Sequence, residues 1–222
     1  MAIKLYGIPQ SRTARCLWML EELGASYENV PVHFIGDAQK PEYLKINPNG
    51  RIPALDDDGV VLFESLAINL HLARKYGAAT HLWPSSPDDQ SRAIQWSIWA
   101  MTEVEPPIVK TLMNRLFLPE PQRVEAEAVE GERALRKALA VLDFSLRGRT
   151  WLLGDSFSVA DLNLFAVAGS DHPALRTPYL DRLDPRDAAR IASPNLEGLS
   201  DLAEWTQRCA ARPALARVLA MR

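Results

Sequence analysis

Apolar and polar positions alternate over Ile3-Lys4-Leu5-Tyr6 and the pattern stops at Gly7 and Pro9, which predicts a strand. The period then lengthens. Leu17, Leu20 and Leu23 recur at helical spacing, so a helix is expected over residues 11–23 with Gly24 as its C-cap. Residues 27–32 read as a second strand, and because a helix separates it from the first, the two are expected to run parallel. Pro41 begins a short helical turn over 41–44, and Asn47-Pro48-Asn49-Gly50 is a turn cluster. Ala54-Leu55 and Val60-Val61-Leu62-Phe63 form a hairpin around Asp57-Asp58-Gly59, residue types that tolerate the positive φ of a tight turn. A helix over 65–76, closed by Gly77, completes the order βαβ-ββα, a small mixed four-stranded sheet flanked by helices.

No strand pattern follows. Residues 79–88 read as a linker that ends in a helix start, with Ser86 as N-cap, Pro87 at the first helical position and Asp88-Asp89 in the first turn. One long helix is expected over 90–118, bent at Pro106-Pro107. Another spans 121–146, where Leu135, Leu139, Leu142 and Leu146 make an apolar stripe. Residues 158–168 are apolar almost all round and so belong in a core. A polar, Pro-containing connection occupies 169–194, with a short helix at 185–191, and helices over 196–211 and 214–221 end the chain. The pattern therefore predicts an α/β domain over 1–78 and an all-helical domain over 89–222.

Composition narrows the function without naming it. A chain of 222 residues with 47% hydrophobic content can bury the cores of two domains. A net charge of −3 argues against a general nucleic-acid binder. No run of about 18 apolar residues suggests a membrane span. The first residues read as a strand rather than a secretion signal. Cys16 and Cys209 form neither a disulfide framework nor a metal motif, and His33, His71, His81 and His172 lack metal-ligand spacing. A cytoplasmic protein without a metal is the expectation.

Two stretches carry candidate chemistry. The second hairpin strand ends at Glu64-Ser65, where a helix begins. A helix N-terminus attracts a carboxylate through free N–H groups and its dipole, and Glu64 can hold an ammonium group. A ligand with both groups on one carbon, the head of an amino acid, fits there. The alternative is that Ser65 is only an N-cap and Glu64 a first-turn acid. The second stretch is the strand-to-helix turn that holds Ser11. A thioredoxin-like redox enzyme places Cys-x-x-Cys there, at a helix N-terminus that lowers a thiol pKa. Here the residues are Ser11-Arg12-Thr13-Ala14, so dithiol chemistry is excluded, but a hydroxyl donor and the dipole, with Arg15 nearby, could depress another molecule's thiol by about one to two units. Each unit needs roughly 1.4 kcal/mol. Ser11 as a plain N-cap remains the alternative. Tyr6 is either a second hydroxyl donor or a packing residue, and Cys16 reads as packing. Trp96 and Trp99 face either core or a cleft. Ser158-Val159-Ala160-Asp161 fits a capping box, which gives Ser158 and Asp161 a structural role.

Taken together these residues resemble the cytosolic glutathione S-transferase family, in its serine-type, bacterial-like form. The resemblance rests on Ser11-x-x-x-Arg15, Asn47-Pro48-x-Gly50-x-Ile52-Pro53-Ala54-Leu55 and Glu64-Ser65-x-Ala67-Ile68. Later in the chain it rests on Gly154-Asp155-x-x-Ser158-Val159-Ala160-Asp161, Pro194-Asn195-Leu196 and Arg212-Pro213-Ala214. It implies a thioredoxin-like first domain that binds glutathione as a substrate. Pro53 would be cis, with the Ile52 backbone pairing to the cysteinyl part. Glu64 and Ser65 would hold the γ-glutamyl head, Gln39 and Lys40 would lie toward the glycyl carboxylate, and Ser11 would contact the sulfur, with Tyr6 as second choice. The helical domain would help form the site for a small hydrophobic electrophile, between the domains. The implied activity is conjugation in detoxification by a cytoplasmic homodimer, with no nucleic acid or membrane as partner. Other activities on the same frame are a disulfide-bond reductase, an isomerase, a dehalogenase, or a binding module that has lost the reaction.

Overall fold

The computed structural model describes residues 2–168 and 197–221, in two compact units. The first comprises Met1–Gln90 and Ala211–Arg222, the second Ser91–Ala210. The expected connection over 169–194 and its short helix lie outside the described residues.

In the first unit β1 (Ile3–Tyr6), β2 (Tyr27–Val30), β3 (Ala54–Asp57) and β4 (Val60–Phe63) form one sheet in the order β2-β1-β3-β4. The β1–β2 pair is parallel and the other two are antiparallel. The second strand stops at Val30, short of the predicted 32, because Pro31 has no N–H to give the ladder. The hairpin turn is one residue tighter than expected, since Asp57 belongs to β3 and pairs with Val60: Asp58 and Gly59 sit at φ 52° and 91°, the positive values a two-residue turn requires, and the Gly59 N–H donates to Asp56 Oδ1.

Helix α1 (Thr13–Leu23) starts two residues after the predicted position: Arg12 occupies the cap position with no side-chain cap hydrogen bond, and Ser11 stands before it in the turn, its Oγ accepting the Thr13 N–H and its carbonyl that of Ala14. Gly24 closes the helix at φ 61°. A one-turn α2 (Pro41–Leu44) follows β2, and α3 (Ser65–Tyr76) follows β4. The core lies between these helices and the sheet. Leu5 and Leu55 from the strands meet Leu17 and Leu20 of α1 and Ile68 and Leu72 of α3, all fully buried, each worth about 1.5–3 kcal/mol by removal from water. At the far end of β3, Asp57 is fully buried and accepts from His71 Nε2 (2.7 Å), Lys75 Nζ (2.8 Å) and Tyr76 Oη (2.6 Å), which fastens the last turns of α3 to the sheet.

The second unit is helical: α4 (Pro87–Trp99), α5 (Glu105–Leu112), α6 (Glu125–Leu146), α7 (Val159–Ala168) and α8 (Ser200–Ala210), with α4 entering it from the first unit. The single helix expected over 90–118 is broken by two widened, π-helical turns, Ala100–Val104 and Met113–Phe117. The first precedes Pro106, whose missing N–H and ring bulk a regular turn cannot accommodate. The Leu stripe of α6 is buried. Gly131 lets α6 approach α5 closely, since a Cβ there would lie 2.5 Å from Thr111 Oγ1. Helix α8 starts at Ser200 rather than 196, its first turn capped by Asp143 Oδ1 on the Leu202 N–H.

Asp161 does more than close a capping box. Its Oδ2 accepts the Ser158 N–H (3.1 Å) and hydroxyl (3.0 Å), while its Oδ1 accepts the Leu152 N–H (2.9 Å) and the Trp205 indole N–H (2.9 Å). Burial raises its carboxyl above the usual range, and the four donors oppose this without cancelling it.

The last helix, α9 (Pro213–Ala220), differs from expectation in its company. It packs on α1 in the first unit rather than with the helical domain. Arg212 bridges both carboxylate oxygens of Glu22 at 2.5 and 2.7 Å, and Arg217 pairs with Glu21 at 2.6 Å. An amphipathic pattern shows that a helix has an apolar face but not which surface covers it. Among the described residues no helix is long and apolar enough to cross a membrane, and no group of acidic, His and Cys side chains could hold a metal.

Candidate active site

The sheet register assembles the site. Ala54 stands opposite Tyr6 on one side and Phe63 on the other. The next residues out, Gly7, Pro53 and Glu64, therefore leave the sheet at one end. This gathers the turn that carries Ser11, the Ile52-Pro53 approach and the Glu64-Ser65 junction, with the N-terminal ends of α1 and α3, whose free N–H groups and dipoles favour negative charge.

Ser11 is half-buried. Its hydroxyl lies 2.7 Å from the Ile8 carbonyl oxygen and 2.8 Å from Thr13 Oγ1, and it accepts the Thr13 N–H at 3.1 Å. Arg15, one turn further and only 9% exposed, reaches Ser65 Oγ with Nη1 at 3.5 Å. Cys16 is fully buried against the Ser65 carbonyl, and burial pushes its thiol well above its usual range although Arg15 opposes this. It is a packing residue. Tyr6 packs edge-on against Tyr43, with ring centroids 6.3 Å apart, in a cluster with Val32, Ala38 and Ala54.

The Ile52-Pro53 peptide is cis. The loop before it is clamped by three side chains. Tyr43 Oη and Asn47 Nδ2 both donate to the Arg51 carbonyl, at 2.7 and 2.6 Å, and Gln39 Nε2 donates to the Gly50 carbonyl at 2.8 Å. Burial pushes the Tyr43 phenol up to about 12, which keeps it a donor. Gln39 thus has its amide engaged by the loop. Lys40, exposed beside it, is paired with Asp37 at 2.7 Å, and the pairing holds the Asp37 carboxyl below its usual range.

At the third segment the sequence expectation needs correction. Ser65 is not the N-cap of α3. It is the first helical residue, 5% exposed, and Glu64 occupies the cap position with no side-chain cap hydrogen bond. Glu64 is held at φ 70°, ψ 110°, a conformation that costs a non-glycine residue about 1–3 kcal/mol, with its side chain exposed. The capping alternative for Ser65 is removed. What remains is a buried hydroxyl at a helix N-terminus backed by a buried guanidinium. Ser158 and Asp161 belong to the other unit and its folding network.

Two family models match the chain, the glutathione S-transferase N-terminal domain over residues 1–74 and the C-terminal domain over 104–213. The chain belongs to the glutathione S-transferase family. Glutathione S-transferase 4 of Zea mays is 34% identical over 98% of this chain and 92% of its own length. Glutathione S-transferase GstB of Escherichia coli (strain K12) is 30% identical over 98% of this chain and 97% of its own. A solved glutathione transferase from Burkholderia graminis, with two glutathione molecules bound per subunit, aligns with a TM-score of 0.82 at 28% identity, over 98% of this chain and 87% of that one.

The transferase motifs name Ser11, Arg15, Asn47, Ile52-Pro53 and Glu64-Ser65, and pass over Thr13 and Tyr43. Asn47 was visible as a turn former and a motif residue, but not as the donor that clamps the Arg51 carbonyl. Tyr43 carried no signal, because its work is done through a carbonyl eight residues away. Thr13 had one faint mark, a second hydroxyl two residues after the first at a helix N-terminus.

Proposed function

We propose that the chain is a glutathione transferase that binds glutathione, holds its thiol as the thiolate and conjugates it to a small hydrophobic electrophile. The observation that carries this is the meeting, at one end of the sheet, of the Ser11 hydroxyl, the Ile52 backbone and the Glu64-Ser65 junction. The γ-glutamyl carboxylate binds the α3 N-terminus and the Ser65 hydroxyl, with Arg15 behind it, and the ammonium group binds Glu64. The cysteinyl backbone adds to Ile52 as an extra strand. Lys40 meets the glycyl carboxylate, and Gln39 acts by holding Gly50. Ser11 then releases the Ile8 carbonyl and donates to the sulfur. Near pKa 8.5 the thiol is mostly protonated at neutral pH, so a depression of one to two units requires roughly 1.4–2.7 kcal/mol, within reach of a charge-assisted hydrogen bond and a helix N-terminus. The proton leaves to solvent, the sulfur lone pair forms the new carbon–sulfur bond while the electrophile's leaving group departs with its bonding pair (or, in an addition, the π pair moves onto the electrophile and takes up a proton from water), and the protein supplies positioning and charge stabilisation without a covalent intermediate.

The reading extends to a homodimer. Strand β4 is an edge strand whose Val60 and Val61 are each 46% exposed and whose Phe63 is 38% exposed, an apolar margin suited to a second copy. It also extends to a cytoplasmic setting, where the thiols of Cys16 and Cys209, which are not joined in a disulfide, stay reduced. The test is the ultraviolet thiolate absorbance of bound glutathione across pH, for wild type and Ser11→Ala. Ionisation below the pH of free glutathione, lost in the variant, is expected. Binding without ionisation, or ionisation that survives the substitution, overturns the mechanism.

A further inference from the structure

The Ser11 oxygen has one proton and two lone pairs, and the structure surrounds it with an unusual set of partners. The Ile8 carbonyl, 2.7 Å away, can only accept. The Thr13 N–H, 3.1 Å away, can only donate. The Thr13 hydroxyl, 2.8 Å away, can do either. While the Ser11 proton points at the Ile8 carbonyl, the hydrogen bond between the two hydroxyls is donated by Thr13. Thr13 then contributes two donors to one oxygen and occupies both of its lone pairs.

Thr13 is held for this geometry. It is fully buried. Gly7 presses its backbone against it: at φ 140° a Cβ on Gly7 would fall 2.1 Å from Thr13 Oγ1. The close approach leaves the Thr13 side chain no room to move toward Gly7. A threonine is also stiff about χ1, so few other directions are open to it.

We propose that Thr13 is a positioning residue for the reaction: its N–H and hydroxyl fill both lone pairs of the Ser11 oxygen, so that Ser11 is left as a donor alone, its proton held on the Ile8 carbonyl until the glutathione thiolate displaces that carbonyl, and strengthened for the thiolate. The inference rests on the reading of Ser11 as the thiolate donor. Two effects follow from the arrangement. The Ser11 rotor keeps only directions in which it donates, which removes states in which its lone pair would face the anion. The chain Thr13 O–H to Ser11 O–H to sulfur is also cooperative, each bond polarising the next. A serine capped by a backbone N–H alone would have the first effect in part and lack the second.

The experiment measures the midpoint of thiolate formation of bound glutathione for wild type, Thr13→Val, Thr13→Ser, Ser11→Ala and the Ser11→Ala/Thr13→Val double variant. Each is also tested for binding of S-methylglutathione, which has no thiol to ionise. Thr13→Val keeps the shape and removes the hydroxyl. It is expected to raise the midpoint by about half a unit to one unit and to leave S-methylglutathione binding within about twofold. Thr13→Ser is expected to restore the midpoint, and the double variant to shift no further than Ser11→Ala, since Thr13 acts only through Ser11. If Ser11→Ala raises the midpoint and Thr13→Val does not, the Thr13 role is refuted while the reading of Ser11 stands. If Ser11→Ala itself has no effect, the reading of Ser11 fails and takes the Thr13 role with it. An equal loss of S-methylglutathione binding in Thr13→Val, unrepaired by Thr13→Ser, marks a packing role and also refutes the proposal. Should Thr13→Val fail to fold, Thr13→Ala compared with Thr13→Ser makes the same distinction.

Discussion

Replacing Asp161 tests how far a capping motif can be read as a cap. A lost N-cap costs about 1 kcal/mol. The structure gives Asp161 a larger task, because its two oxygens accept four hydrogen bonds from Leu152, Ser158 and Trp205, all buried. Asp161→Ala leaves three fixed donors, two backbone N–H groups and an indole N–H, without an acceptor. The Ser158 hydroxyl can turn away. Each stranded buried donor costs about 1–3 kcal/mol, and partial relaxation brings the sum to about 3–5 kcal/mol. Asp161→Asn discriminates further. Its carbonyl can keep the Leu152 and Trp205 donors that share Oδ1, and its NH2 group can donate to a reversed Ser158 hydroxyl, which leaves one clash with the Ser158 N–H. It should cost about 1–3 kcal/mol. Urea unfolding followed by tryptophan fluorescence measures both. A cost for Asp161→Ala near 1 kcal/mol, or equal costs for the two variants, would refute the argument from counted donors. A fall in glutathione affinity per folded molecule would refute the purely structural role.

Three further outcomes are expected. Burial works against ionisation of Asp57, but Lys75, Tyr76 and His71 outweigh it and hold the carboxyl below its usual range. Its stabilising contribution is therefore complete above the unfolded value of about 3.9 and is lost as pH falls through the lower folded value. Asp57→Asn should cost about 2 kcal/mol at neutral pH, and its urea stability should fall less steeply than wild type below about pH 4; parallel profiles would contradict this. Arg212→Ala removes a bidentate partner from the nearly buried Glu22 and should cost about 1–2 kcal/mol in thermal unfolding, with Arg212→Lys recovering under half because an ammonium cannot span both oxygens; an unchanged midpoint would mean that α9 is held by apolar packing alone. Glu64→Gly relieves a positive-φ residue and should raise stability by about 1 kcal/mol while weakening glutathione binding at least tenfold in calorimetry; lower stability would show that the backbone there is not strained.

The elements of the first unit were legible because each carries a local signal: alternation in β1, the Asp58-Gly59 turn, Gly24 at the end of α1. The family motifs also named the segments that meet at the site. What the residues could not give was whatever depends on a partner distant in sequence. Residue statistics favour Ser over Glu as a cap, yet the sheet register ends β4 at Phe63 and forces Glu64 into the cap position. The company of α9 depends on Glu21 and Glu22, about 190 residues earlier. The size of the Asp161 network depends on Trp205, which no capping signature includes. Gln39 is expected toward the ligand, and the structure adds a second task that its local sequence did not signal, the donation of its Nε2 to the Gly50 carbonyl.

The distribution of constraint along α3 explains how the unit tolerates strain where it does. At its C-terminal turns the helix is fastened to the end of β3 by three side chains converging on a buried carboxylate. At its N-terminus it is met by Arg15, which ties it to α1 through the Ser65 hydroxyl. Between them lie the fully buried Ile68 and Leu72. A helix so fixed cannot rotate to let Glu64 relax, and β3 on the other side fixes the strand from which Glu64 comes. The strained backbone is the residue left over once both neighbours are positioned, and it presents its carboxylate outward at the start of the helix. Arg15 stands in both halves of the proposed chemistry, on the helix that follows Ser11 and beneath the hydroxyl of Ser65. A change at Arg15 should consequently disturb thiolate formation and the binding of the γ-glutamyl head together, whereas changes at Thr13 act on the thiolate and changes at Glu64 on the head.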